Sequence, residues 1–178
     1  MSIRSARGFT LVELLIVVAI IGVIAAIAVP GLLRARLSAN EASAIGSLRT
    51  VNSGQMSYAS SCAFGGYAIS LDDLAKPPAG SNQGFVSPDL SKDAIAKSGY
   101  VVALAKNAAA GVTDVGTGAA TCNGSANDPA SSYFAKAEPV TPGVSGTRFF
   151  ASDSRGTIFG TTAGPIANPV PAGASIAQ

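Results

Sequence analysis

From Leu14 to Leu33 the chain runs for 20 residues without a charge. At about 1.5 Å per residue, a helix of that length crosses a hydrocarbon core roughly 30 Å thick. The pattern then changes. Leu37, Ile45, Leu48, Val51 and Met56 recur at roughly helical spacing, while Arg34, Arg36, Glu41 and Arg49 supply a polar side. The two stretches predict one long helix from Phe9 to about Tyr58, 50 residues in all. Residues 9–33 suit a membrane, and residues 34–60 suit packing on a small domain. The polar, Gly-containing step Asn52-Ser53-Gly54 is predicted to fray the far end.

The remaining chain predicts loops and short strands. Residues 61–99 are loop-rich, punctuated by Gly65-Gly66 and Pro77-Pro78. Within them Ser70-Leu71-Asp72-Asp73-Leu74 predicts a helical turn capped by Ser70, with both aspartates on a solvated first turn. Residues 100–160 predict an antiparallel sheet. Tyr100–Ala105, Tyr133–Glu138, Arg148–Ala151 and Thr157–Phe159 are its strands, and Asp153-Ser154-Arg155-Gly156 is a hairpin turn. Residues 161–178, rich in Gly, Ala and Pro, predict an irregular tail. The fold class is therefore α+β: a long N-terminal helix whose amphipathic half packs on a small antiparallel sheet.

Composition narrows the chemistry. Charged residues are only 12% of the chain, against about a quarter in ordinary soluble domains. Removing Arg4 and Arg7 from the twelve basic residues leaves ten against ten acidic ones. Bulk attraction to nucleic acid or anionic lipid is not indicated. There is no histidine, so the commonest general base and metal ligand are missing and a serine triad is impossible. Gly116-Thr117-Gly118 lacks the third glycine of a dinucleotide loop. Asn123-Gly124-Ser125 is formally a glycosylation sequon, a triplet that often arises by chance. No enzyme activity and no cofactor is expected. Two cysteines, Cys62 and Cys122, lie beyond the apolar run. An even pair past a membrane span predicts a disulfide formed in an oxidising compartment, the alternative being two separate buried thiols.

Three accounts compete for residues 1–33. A cleaved secretory signal has an apolar core of only 7–15 residues, and this run is longer. A plain membrane anchor explains the length but not Glu13, a carboxylate at the edge of the run. The third account is a short basic leader cut off in front of a retained apolar segment. The stretch from Arg7 to about Thr50 closely resembles the N-terminus of type IV pilins and type II secretion pseudopilins. The residues that carry the resemblance are Gly8, Phe9, Glu13 and an apolar run holding Gly22 and Pro30.

The resemblance implies a pilin fold and a leader at residues 1–8. A prepilin peptidase would cut between Gly8 and Phe9 and methylate the new amine of Phe9. Glu13 would act in assembly. Gly22 and Pro30 would weaken the helix, which in the family can lose structure between them inside filaments; an ordinary membrane-helix kink at Pro30 is the alternative. The subunit would wait as a single-pass protein of the inner membrane, its C-terminal domain outside the cytoplasm. Pilus assembly machinery would then draw it into a helical filament of its own copies, with residues 9–33 as the filament core. Loop charge gives no orientation, since Arg4 and Arg7 precede the run and Arg34 and Arg36 follow it. Beside this, Thr10 and Glu13 by themselves fit a local capping box. The nearest alternative function is a pseudopilin of type II secretion, with a periplasmic pseudopilus. Another class is a minor tip pilin that adheres to surfaces or captures DNA. Asp153 lies near where major pseudopilins hold calcium, but the surrounding acidic residues are missing.

Overall fold

The computed structural model describes residues 8–177. The expected leader therefore lies, apart from Gly8, outside the described residues. Helix α1 runs Leu11–Ser61, followed by a short helix α2, Leu71–Ala75. Five strands come next: β1 Ala96–Lys97, β2 Tyr100–Lys106, β3 Tyr133–Pro139, β4 Phe149–Asp153 and β5 Ile158–Thr161. They pair in chain order, every neighbour antiparallel, as a simple meander. The two-residue β1 had no strand pattern to announce it. The chain divides into two compact units, residues 1–36 and residues 37–178.

From Leu11 on, the described part of the first unit is helix with nothing packed on it. Its apolar side chains point to every side and are exposed, Leu11 through Leu33 included. A helix apolar all round is stable only inside a membrane or among other protein.

In the second unit α1 turns one stripe inward: Ala44, Ser47, Leu48, Val51, Gly54, Gln55 and Tyr58. Steps of three and four residues keep these on one face. Met56 falls one residue past Gln55, about 100° around the helix, and is exposed, contrary to the expectation. The stripe meets the inward residues of the sheet: Tyr100, Val102 and Leu104 of β2, Tyr133, Ala135 and Ala137 of β3, and Phe150 of β4. Inward positions alternate, as the pleat requires.

The predicted soft spot proves to be a packing site. Asn52 donates to Ser152 Oγ at 2.9 Å and accepts from the Tyr133 hydroxyl at 2.8 Å. Gln55 exchanges two bonds with the Ala68 backbone, at 2.7 and 2.9 Å. A methyl added to Gly54 would stand 2.6 Å from the Phe85 carbonyl oxygen and 2.9 Å from Val86 Cγ1. Gly54→Ala is therefore expected to destabilise by about 1–3 kcal/mol despite the better helix propensity of alanine. Gly46→Ala, where a methyl meets nothing within 4 Å, should instead stabilise. Denaturant midpoints of the two variants in detergent will move in opposite directions if this packing is right.

Asp73 is a second correction. Its carboxylate is buried and not solvated. It accepts from the Ala126 amide at 2.6 Å, the Asn127 side chain at 2.7 Å and the Ser70 hydroxyl at 2.9 Å. Asp72 remains exposed. The tail after β5 is irregular but packed. Ile166, Val170 and Ala174 lie with Phe134, Ala151 and Phe159, a cluster separate from the core under α1. The amide of Ala177 donates to Ile158 at 2.8 Å, and Asn168 bonds Lys106 and Ala108 at 2.9 and 2.8 Å.

Candidate functional site: the N-terminal segment

Helix α1 starts where Thr10 and Glu13 meet. Glu13 Oε2 accepts from the Thr10 amide at 2.9 Å and the Thr10 hydroxyl at 2.8 Å. The Glu13 amide donates to Thr10 Oγ1 at 3.2 Å. This reciprocal box satisfies two of the amides that a helix start leaves without partners. It occupies only one carboxylate oxygen. Phe9, just outside the helix, is 87% exposed, and no added atom at Gly8 would meet anything within 4 Å. The Gly8–Phe9 bond thus lies in open, non-helical chain, four residues before a lone carboxylate. Gly22 and Pro30 lie inside an unbroken stretch of α1. Pro30 has no N–H to give the turn before it.

The other singled-out residues lie far along the chain. Cys62 and Cys122 are joined by a disulfide, with Cα atoms 4.7 Å apart. It ties the residue after α1 to the loop before β3. Asn123, the sequon residue, is buried, and its amide donates to the carbonyls of Asp73 and Lys76 at 2.8 and 3.0 Å. Its role there is to hold the loop. Asp153 pairs with Arg155 at 2.7 Å across the β4–β5 turn. That turn closes through Gly156, whose φ of +71° favours glycine. Among the described residues no three His, Cys, Asp or Glu side chains gather as a metal site.

Sequence reasoning missed the bond between α1 and the β3–β4 loop. Glu41 Oε1 accepts from the Thr147 amide at 2.9 Å and the Thr147 hydroxyl at 2.8 Å. Asn40 donates to the Ser145 carbonyl at 2.8 Å. The partners stand more than a hundred residues apart, so no local pattern could signal them. The buried phenol of Tyr100 donates to the Arg148 carbonyl beside them, and burial, helped by the Glu41 charge, raises its pKa to about 12.

A family model described as "Prokaryotic N-terminal methylation motif" matches residues 3–29. The "Type IV wide pilus major component PilA4" of Thermus thermophilus is 60% identical over 38 residues, 21% of this chain and 29% of that protein. The "Type IV major pilin protein PilA" of Myxococcus xanthus is 44% identical over 52 residues, 29% of this chain and 24% of its own. The chain thus spans only about a quarter of the length of these curated relatives. No solved structure matches the chain. The matched motif heads a long helix whose second half packs on an antiparallel sheet, and over that N-terminal segment the chain carries the prokaryotic N-terminal methylation motif and is similar to type IV major pilins.

Proposed function

We propose that this chain is a structural subunit of a type IV pilus-like surface filament, made as a prepilin and assembled through α1. The single observation that supports it most is an apolar helix with none of its most hydrophobic window buried, headed by Gly8, Phe9 and Glu13. Such a surface must be covered either by lipid or by copies of itself. In this reading a prepilin peptidase cuts after Gly8 and methylates Phe9. The subunit then waits in the inner membrane as a single-pass protein. Gly22 and Pro30 mark a stretch able to loosen when helices repack. The subunit acts by packing, without catalysis or cofactor.

Energetics explains the need for machinery. Covering apolar surface contributes about 25 cal/mol per Å2 when the reference is water. Lipid tails already cover the stored helix, so most of that gain is absent when it leaves the membrane. Extraction must be driven by the assembly machinery of the inner membrane.

The test is the composition of filaments sheared from cells. This chain should dominate them, with an intact mass lower by residues 1–8 and higher by one methyl group. A mature protein still beginning at Met1 sinks the prepilin reading. Trace amounts at filament ends would instead identify a tip adhesin. Loss of protein secretion on deletion, with no surface filaments made, would identify a pseudopilin.

A further inference from the structure

We infer that the β3–β4 loop, Val140–Thr147, is a membrane-contact loop that seats the folded domain on the lipid headgroup layer while the subunit is stored. The inference rests on the membrane storage proposed above.

Three features of the loop point to lipid. The first is its tether. Asn40 and Glu41 hold the loop through Ser145 and Thr147. Asn40 stands seven positions beyond Leu33, the end of the uncharged run. That tether is about 10 Å in helical form and at most about 25 Å fully drawn out. The headgroup layer on each side of a bilayer is itself roughly 5–8 Å deep.

The second feature is composition. From Pro139 to Thr147 there is no charged residue. Val140 and Val144 are 54% and 74% exposed on the loop, and Pro142 between them is exposed too. Elsewhere the folded domain shows large apolar side chains singly, which needs no explanation. Here two stand on one uncharged loop.

The third feature is hydrogen bonding. A loop can enter a poorly hydrated layer only if its backbone donors are already satisfied. Val140 donates to Gly99 at 3.0 Å, Gly143 to Gly146 at 2.8 Å, and Val144 and Ser145 to Thr141 at 3.0 and 2.9 Å. Thr141 donates to Ser145 Oγ at 3.0 Å, and Thr147 to Glu41 at 2.9 Å. Six of the seven N–H groups in the loop are thus bonded within the folded domain.

The chain contains no tryptophan, so a single introduced one reports alone. Three full-length variants, Val144→Trp, Met56→Trp and Val23→Trp, are reconstituted in phosphatidylethanolamine–phosphatidylglycerol vesicles, with and without brominated acyl chains. Val23→Trp should be strongly quenched by bromine. Val144→Trp should lose roughly half its emission, as fits an indole at the interface. Met56→Trp, on the exposed side of the helix much farther along the chain, should be unchanged. An unquenched Val144→Trp beside a quenched Val23→Trp overturns the loop contact and leaves membrane storage standing. If Val23→Trp is also unquenched, the storage reading itself fails. Blue-shifted Val144→Trp emission that ignores bromine and vanishes on dilution in lipid means that a second copy covers the loop, which also overturns the proposal.

Discussion

Cells carrying Glu13→Gln should make processed, membrane-inserted subunit and almost no filaments. Glutamine keeps the shape of glutamate and one acceptor oxygen, so the box with Thr10 can persist. What it cannot do is neutralise a cation. Cleavage after Gly8 would create an amine on Phe9, four residues before Glu13. Among packed apolar helices, that amine and the carboxylate of a neighbouring subunit attract far more strongly than in water. Apolar helices slide past one another at little cost, so a single buried ion pair would set the axial register of an incoming subunit. Leaving one charge buried without its partner costs about 3–5 kcal/mol, a factor of hundreds or more in subunit addition. Glu13 has a carboxylate oxygen to spare, since both Thr10 donors use Oε2. Immunoblots of sheared filaments against membrane fractions give the result. Normal filaments with normally methylated Gln variant would show that the capping box is all Glu13 does.

The second large effect is on stability. Replacing both cysteines by serine, or reducing them, should lower unfolding free energy by about 4 kcal/mol in the chain-entropy account, for the 60-residue separation they span. The bond joins the end of α1 to a loop that is otherwise organised by polar contacts. The Cys122 amide donates to the Cys62 carbonyl at 3.2 Å, and the Tyr58 hydroxyl meets Ser125 Oγ at 2.6 Å. Loosening the loop would also release the two amide bonds of Asn123 to Asp73 and Lys76. The loss should therefore appear as a lower denaturant midpoint together with early proteolysis between α2 and β3. An unchanged midpoint under reductant, or two free thiols trapped in protein from its native cells, would contradict it.

Much of the architecture was legible because it rests on local signals. An uncharged run, helical spacing and turn residues such as Gly156 act over a few residues, and pattern reports them directly. The errors share one cause. Asn52, Gly54 and Asp73 are residue types that favour turns and solvent in isolation. Each sits instead in tertiary surroundings that supply what it lacks: Ser152 and Tyr133 for Asn52, a close-passing Phe85 backbone for Gly54, and the amides of residues 126 and 127 for Asp73. Met56 failed for the opposite reason. Its hydrophobicity was plain, but which stripe of α1 turns inward depends on where the sheet lies.

By itself the sequence determined the N-terminal segment and the kinds of element that follow it. Those depend on chain-local physics: the length of an uncharged run, the cap at Thr10 and Glu13, and the alternation of strands. Only the tertiary structure decided which side of the amphipathic half is buried, which polar groups become internal struts, and where the β3–β4 loop is held. Those outcomes depend on partners far away in the chain, such as Glu41 with Thr147 and Asn52 with Tyr133, whose meeting no local pattern encodes.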